Sequence, residues 1–586
     1  MLAAAVTLLA AVLAGVLGGC GSSSSGTSAS PATVTPASAP LYIDAVVRPE
    51  GSLKTNATST ASTLTGRQKP FEGLLKLLAG PTSRTPHYAK EVQPWLGPHA
   101  GVFLSAIDLS RAQGLLSGEL LAKVLSEGLA GVEAALLGEG GLPAALNSSS
   151  AQGALVLDTT DVAKARSFLE TQAHSAGAHS ASYRGVTYQV APDGVAEGIV
   201  HRFAVIGSEA GLKSVIDTAA GGPSLASAAA YAKLASTTQG AGTPPALANL
   251  YLSPEELTSS AGAGGGKEAS ILPLIEGVLG NPGQLYVSLI PTANTVALDF
   301  DTLPASSAAS GSSGESAAGG SSVEASNSTT STTGAQVLSG LPGGSWLAIG
   351  VGDLGKMLGS ARGLHTLASL ASGVSIGTIS LATLLAPLTS HALDVQRDLL
   401  SWMGATGVYA SGSSVLDLQA AVVIASKDPA RSHAALAKIA QAYREAGGQT
   451  SPTTVPGTET ALTVKLPNFP LTLTLAEGQG KFVAGLGAAS VQEALNPQST
   501  LAGTPNYNAA AGALGQGIQP SALVEFHTLS GLFESLGLNQ TPGFSGFASA
   551  IAPLSNLAVG GGETLSGGVK RARVVIGLQP PPPPAG

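Results

Sequence analysis

At 586 residues with 44% hydrophobic side chains, the chain is long enough for more than one core. Its formal net charge of −8, on a chain with only 11% charged residues, leaves no basic block to hold phosphates, which excludes nucleic acid as an expected partner. A single cysteine, Cys20, rules out an intramolecular disulfide and a thiolate metal cluster.

Residues 2–19 are small and apolar, and they run through Leu17-Gly18-Gly19-Cys20 into the polar Gly21-Ser22-Ser23-Ser24-Ser25-Gly26. This stretch resembles a bacterial lipoprotein signal with its lipobox. The resemblance implies cleavage before Cys20, acylation of its thiol and of the new amino terminus, and an extracytoplasmic protein whose first partner is the membrane. Two or three acyl chains, at about 0.8 kcal/mol per buried methylene, hold a domain far better than one. A permanent signal anchor is disfavoured, because the apolar run is short for a span. No Lys or Arg precedes Arg48, so the positive segment of such a signal is expected upstream of Met1. The expected divisions are a signal over 1–19 and a flexible tether over 20–39.

Beyond the tether, Leu41 to Val47 reads as a strand from its apolar and β-branched content, and Arg48-Pro49-Glu50-Gly51 as a turn. Phe71, Leu74, Leu75 and Leu78 have the spacing of one helix face. Gln93-Pro94-Trp95-Leu96-Gly97 leads into a strand around Val102 to Leu104, and the leucines and alanines of 112–142 predict amphipathic helices. After a short strand at Leu155 to Leu157, Asp161 stands as the N-cap of a helix. Tyr183 to Ala191 and Val200 to Ile206 read as two strands, with a further helix opening at Ser208. Leu247 to Leu252 is predicted as strand and Pro254 as a helix start. Leu285 to Leu303 reads as a hairpin whose second arm alternates Val296, Leu298 and Phe300 with Ala297, Asp299 and Asp301, predicting one buried and one wet face.

Residues 304–334 are Ser, Gly, Ala and Thr with almost no large apolar side chain, the composition of a disordered linker. After it the pattern repeats. Trp346 to Gly350 corresponds to the strand at Leu41, and Ser401-Trp402-Met403-Gly404 with the run at Gly407 to Ser411 corresponds to the first tryptophan motif. Val422 to Ile424 matches Leu155 to Leu157, and Asp428 with Pro429 matches the Asp161 cap. Leu436, Ile439, Ala440 and Tyr443 stripe the following helix, which Gly447 can end. Phe482 to Leu486, Leu523 to Phe526 and Val569 to Leu578 complete the second set of strands. Trp95 and Asp161 are 66 residues apart but Trp402 and Asp428 only 26, so the first copy carries the helices of 112–142 as an insertion. The second copy lengthens earlier, with the apolar segment 364–388, which its Ser, Thr, Gly and Pro387 mark as packed helix rather than membrane span.

Ala39-Pro40-Leu41-Tyr42, Val47-Arg48-Pro49-Glu50-Gly51 and Glu91 to Gly97 together resemble the bacterial family called domain of unknown function 3352. The resemblance implies exported or membrane-associated members and no established catalytic residue.

Three motifs invite chemistry. Gly350-Val351-Gly352-Asp353-Leu354-Gly355 fits a dinucleotide fingerprint, but no acid follows about 20 residues on, so a tight strand-to-helix turn is the better reading. Gly373-Val374-Ser375-Ile376-Gly377 fits a nucleophile elbow, yet its acid and histidine can be chosen from Asp394, Asp417, Glu525, His433 and His527 only arbitrarily. Gly262 to Lys267 lacks the leading glycine and the Ser or Thr of a phosphate loop. His174 and His179, five apart, have no flanking carboxylates and read as a solvated helix end rather than a metal site. Trp95 and Trp402 read as core residues first and as paired aromatics lining a cleft second.

The expected protein is α+β, with two tandem homologous lobes over 40–303 and 335–578, each a mainly antiparallel sheet with helices on one face, and a Pro-rich tail over 579–586. It is expected to be a non-enzymatic envelope lipoprotein without cofactor or metal, binding an envelope protein or another ligand. A carrier of an apolar ligand walled by 112–142 and 364–388, and a serine hydrolase at Ser375, are the alternatives.

Overall fold

A computed structural model describes residues 29–65, 87–107, 147–148, 151–238, 243–260, 282–304, 333–359, 375–376, 379–380, 386–389, 393–414, 416–466, 471–535, 548 and 551–579. Cys20, the helix expected at 71–78, the helices of 112–142, the loop at 262–267 and most of 364–388 lie outside them, as does the expected linker up to residue 332. The chain divides into two compact units: Met1–Ser307 with Thr564–Arg571 and Leu578–Gly586, and Ala308–Glu563 with Ala572–Gly577.

In unit 1 the strands are β1 (Leu41–Val46), β2 (Leu96–Ile107), β3 (Ala151–Thr159), β4 (His179–Tyr183), β5 (Val186–Val190), β6 (Val195–Val200), β7 (Phe203–Ser208), β8 (Ala248–Leu252), β9 (Pro282–Pro291) and β10 (Thr295–Pro304). Neighbours pair antiparallel in the order β10-β9-β8-β1-β2-β3-β7-β6-β5-β4. Two strands expected between Tyr183 and Ile206 are thus part of a four-stranded meander. Its tight turns are made by Arg184 and Gly185, both at positive φ, and by His201 at φ 53°, the twist that a two-residue hairpin needs.

Unit 2 is built from β11 (Ser345–Val351), β12 (Met403–Ser411), β13 (Gln419–Ser426), β14 (Gln449–Pro452), β15 (Thr460–Lys465), β16 (Leu473–Gly478), β17 (Lys481–Leu486), β18 (Gln519–Glu525) and β19 (Leu554–Thr564). Their order, β19-β18-β11-β12-β13-β17-β16-β15-β14, is also wholly antiparallel and repeats that of unit 1 strand for strand from β9 to β4. Small connections repeat as well. The bridge Pro36 to Ser224 recurs as Pro342 to Thr500. Leu225 N donates to Thr35 O at 2.8 Å, and Leu501 N to Leu341 O at 2.7 Å. A last strand, β20 (Lys570–Leu578), closes the chain.

The helices are α1 (Gly51–Thr65), α2 (Val162–Ser175), α3 (Glu209–Ala219), α4 (Ala229–Ser236), α5 (Pro254–Ser260), α6 (Leu354–Leu358), α7 (Pro429–Glu445), α8 (Gly487–Leu495), α9 (Pro505–Leu514) and α10 (Phe526–Ser535). The three N-caps expected from sequence are made: Asp161, Ser208 and Asp428 accept from Lys164 N, Gly211 N and Arg431 N. Helices pack against the strands of both units. Ala421 and Val423 of β13 pack with Val491 and Leu495 of α8, whereas Ile424, on the other side of the pleat, packs with Leu436, Ile439 and Tyr443 of α7. In unit 1, Val156 and Val205 meet Leu212, Val215 and Ile216 of α3.

Candidate functional site

Both tryptophans belong to the core. A wide π-helical turn precedes each, Tyr88–Val92 and Val395–Leu400. Trp95 Nε1 donates to Glu91 O at 2.7 Å and Trp402 Nε1 to Asp398 O at 2.9 Å, so the one polar atom of each indole is satisfied within its own turn. Each ring packs on a phenylalanine, Trp95 on Phe168 of α2 with centroids 5.3 Å apart and Trp402 on Phe482 of β17 at 5.2 Å. Their carbonyls accept from Thr160 N and Lys427 N, both at 2.8 Å, just ahead of the two Asp caps. The glycine two residues on is required for space. A Cβ on Gly97 would sit 2.7 Å from Asp158 Cγ, and one on Gly404 would sit 2.8 Å from Ala425 O.

The catalytic-looking motifs take structural roles. Gly350 lies in β11, where a Cβ would collide with Gly334 O and sit 3.0 Å from the Leu338 side chain, and a Cβ on Gly355 would sit 2.6 Å from Met403 O. Asp353 caps α6 through Lys356 N and pairs with Lys427 at 3.0 Å, which puts a carboxylate where a phosphate would need to be. Ser375 lies in a two-residue strand paired with Ser380, not at a strand-to-helix elbow. His174 ends α2 and His179 begins β4, and both are exposed. Among the described residues no group of three or more His, Cys, Asp or Glu is placed to hold a metal ion.

The distinctive chemistry lies elsewhere, on the α3 and α4 side of the unit 1 sheet. The arm of β10 that the sequence suggested would be wet is buried: Asp299 and Asp301 are both 0% exposed. Their counter-charge is Arg571. Its Nε and Nη2 each donate to the Asp301 carboxylate at 2.7 Å, and Nη1 lies 3.4 Å from Asp299 Oδ2. Thr237 Oγ1 adds a bond to Asp301 at 2.5 Å. Arg571 arrives from 270 residues further along the chain, so no local pattern announces that this face is buried.

From Asp299 a polar row crosses the sheet. Ser288 stands opposite Asp299, Asn249 opposite Ser288, and Asp44 opposite Asn249. One pleat along, on the same face, Asp301, Tyr286, Tyr251 and Tyr42 form the parallel row. Tyr231 of α4 covers it, its ring 5.9 Å from Tyr42, 5.3 Å from Tyr251 and 6.1 Å from Tyr286, each edge-on. Tyr42 Oη donates to Asp44 Oδ1 at 3.4 Å. Burial raises the Asp44 carboxyl above the usual range, opposed by His99 and by the Tyr42 bond. Burial, joined by the charge of Asp44, likewise raises the hydroxyls of Tyr42, Tyr231 and Tyr286. His99, opposite Val46, is on the same face. Beyond it Asp158, fully buried, pairs with Arg202 at 2.8 Å, and burial raises its carboxyl against the pull of that guanidinium. Three side-chain atoms along or beside this row are buried without a hydrogen-bond partner among the described residues: His99 Nδ1, Asn249 Oδ1 and Ser288 Oγ.

Sequence reasoning missed this row, although a signal for it exists. Tyr42-Ile43-Asp44, Asn249-Leu250-Tyr251 and Tyr286-Val287-Ser288 each set a tyrosine two residues from a polar side chain within an apolar strand. Period-two alternation puts all six on one face.

Sheet order and core thus define an α+β protein of two antiparallel units. The chain belongs to the family described as protein of unknown function (DUF3352), whose model matches residues 1–542. No curated protein matches it. Solved structures similar in part are crystal forms I and III of TP0453, at 11% and 10% identity, each with a TM-score of 0.23. Each alignment covers 47% of this chain, and 79% and 80% of the other.

Proposed function

We propose that this protein is a lipid-anchored, extracytoplasmic member of its family that acts by binding rather than by catalysis. The single observation that carries the binding role is the state of the buried polar groups in unit 1. Arg571 pairs with Asp299 and Asp301 and Arg202 with Asp158, whereas Asp44 has no such pair and His99 Nδ1, Asn249 Oδ1 and Ser288 Oγ have no hydrogen-bond partner among the described residues. The lipobox-like Leu17 to Cys20 and the Gly/Ser stretch after it support the anchor, with the membrane as a standing partner. Native mass spectrometry of the full chain extracted from membranes, beside palmitate labelling, tests both parts. The expected result is acylated protein that retains a non-covalent ligand or partner, with labelling abolished in Cys20→Ser. Labelling unchanged in that variant removes the anchor, and a chain that retains nothing and responds to no added ligand removes the binding role.

A further inference from the structure

Deepening that binding reading, on which it rests, we propose that the row Asp44, Asn249 and Ser288, with His99 beside it, is a binding site for a small ligand carrying a protonated primary or secondary amine. Cross-strand neighbours on one face hold their Cβ atoms about 4.5–5.5 Å apart, so the two consecutive pairings Asp44–Asn249 and Asn249–Ser288 set these side chains in one row about 10 Å long. Each orphaned atom is able to accept a hydrogen bond, and Ser288 is 0% exposed. Leaving such an atom unpaired costs about 1–3 kcal/mol, so orphaned atoms on either side of Asp44 (Asn249 and Ser288 to one side, His99 to the other) call for a donor-rich occupant.

The carboxylate of Asp44 sets the sign of that occupant. It has no Arg or Lys counter-ion of its own in this row: Arg571 serves Asp299 and Asp301, and Arg202 serves Asp158. An anionic ligand would meet Asp44 as a like charge, and an apolar ligand would leave the three atoms unpaired. An ammonium group supplies both the positive charge and several N–H donors. The aromatic wall fits the same choice, because the rings of Tyr42, Tyr231 and Tyr286 stand beside the carboxylate and aromatic faces attract cations.

Comparison with unit 2 removes the scaffold as an explanation. There the positions matching Tyr42 and Asp44 are Ala348 and Gly350: Ala348 pairs with Tyr409 as Tyr42 pairs with Phe103, and Gly350 pairs with Gly407 as Asp44 pairs with Gly101. Tyr251 and Tyr286 are matched by Leu523 and Ala558. Asn249, two residues before Tyr251, is matched by Ser521, two before Leu523, whose hydroxyl donates to Val559 O at 3.2 Å. The same strand order therefore folds without the carboxylate and the tyrosines, which are particular to unit 1.

Isothermal titration of the full chain with butylammonium and benzylammonium, each against its uncharged counterpart, butanol and benzyl alcohol, tests the site. Saturable binding of at least one ammonium is expected, weakened tenfold or more in Asp44→Asn and severalfold in Ser288→Ala, with the alcohols bound at least tenfold more weakly. Should Asp44→Asn fail to fold, Ser288→Ala and the alcohols decide the outcome. Binding that is unchanged in the folded variants, or equal for the alcohols, overturns the proposal. So does the absence of saturable binding, which would mean that water alone satisfies the three atoms. A different ligand retained in native mass spectrometry and insensitive to both substitutions overturns the ammonium site while leaving the broader binding reading intact.

Discussion

Replacing Arg571 by methionine keeps most of the aliphatic volume and removes the guanidinium from between Asp299 and Asp301. Both carboxylates are 0% exposed and Arg571 is 7% exposed, so water cannot take over its role without opening the sheet at β10. Two of its bonds to Asp301 are 2.7 Å long and a third contact reaches Asp299 at 3.4 Å. Removing one partner of a buried ion pair and leaving the other uncompensated costs about 3–5 kcal/mol. The expected loss in Arg571→Met is of that size, and it should be confined to unit 1. Hydrogen exchange of peptides from β9 and β10 reads it there, as a fall in protection equivalent to that free energy. The triple replacement Asp299→Leu, Asp301→Leu, Arg571→Met should regain most of the loss, since a buried ion pair exchanged whole for apolar residues is often neutral. A loss below about 1 kcal/mol in the single variant would refute the reasoning, because it would mean that the two aspartates are neutral or hydrated in the folded chain.

Adding one methyl group at Gly97 or at Gly404 forces a Cβ against Asp158 or against Ala425 O, and each alanine variant should lose about 1–3 kcal/mol in thermal unfolding. Removing a cap, in Asp161→Ala or Asp428→Ala, should cost about 1 kcal/mol in either unit, measured by urea denaturation; a cost confined to one of them would break the equivalence of the two turns. Glu197 gives a pH signature. Burial, with Asp193 adding to it, raises its carboxyl from 4.5 to about 7, so folding takes up a proton between those values and the wild type loses stability as pH rises through them. Glu197→Gln, which does not titrate, should match the wild type at about pH 4 and exceed it by about 2 kcal/mol at about pH 8, and an equal gain at both would count against a buried neutral acid.

What was legible in the sequence was local. Asp161, Ser208 and Asp428 announce helices because a cap is a contact over three residues, and Trp95 and Trp402 announce a repeated unit because their indoles bond four residues back. Strands β14 and β15 went unseen because they carry little apolar alternation. Gln449–Pro452 is exposed along most of its length, and it joins the sheet through its backbone ladder to Thr460–Lys465, whose buried Ala461 and Val464 lie three residues apart rather than alternating. Asp299 and Asp301 were misjudged for a different reason. Alternation distinguishes two faces but gives a polar face no sign of whether water or a distant guanidinium will meet it, and here the partner lies 270 residues away.

The two units argue against each other in a useful way. They share strand order, tryptophan turn, cap and the bridge before β1 or β11, so whatever the scaffold needs should be present in both. In unit 2 the middle of the corresponding face is closed by small residues: the site of a Cβ on Gly350 is filled by Gly334 and Leu338, and that of one on Gly407 by Leu341 and Val337. Close packing of this kind satisfies a core at no polar cost. Unit 1 keeps Asp44, Asn249 and Ser288 there instead, with unpaired atoms among them, which a core selected for stability alone would not retain. Removing the orphaned atoms from unit 1, as Asn249→Ala with Ser288→Ala, should therefore raise its unfolding midpoint while abolishing ammonium binding. A double variant that is less stable than the wild type would show that the row holds the sheet together rather than a ligand.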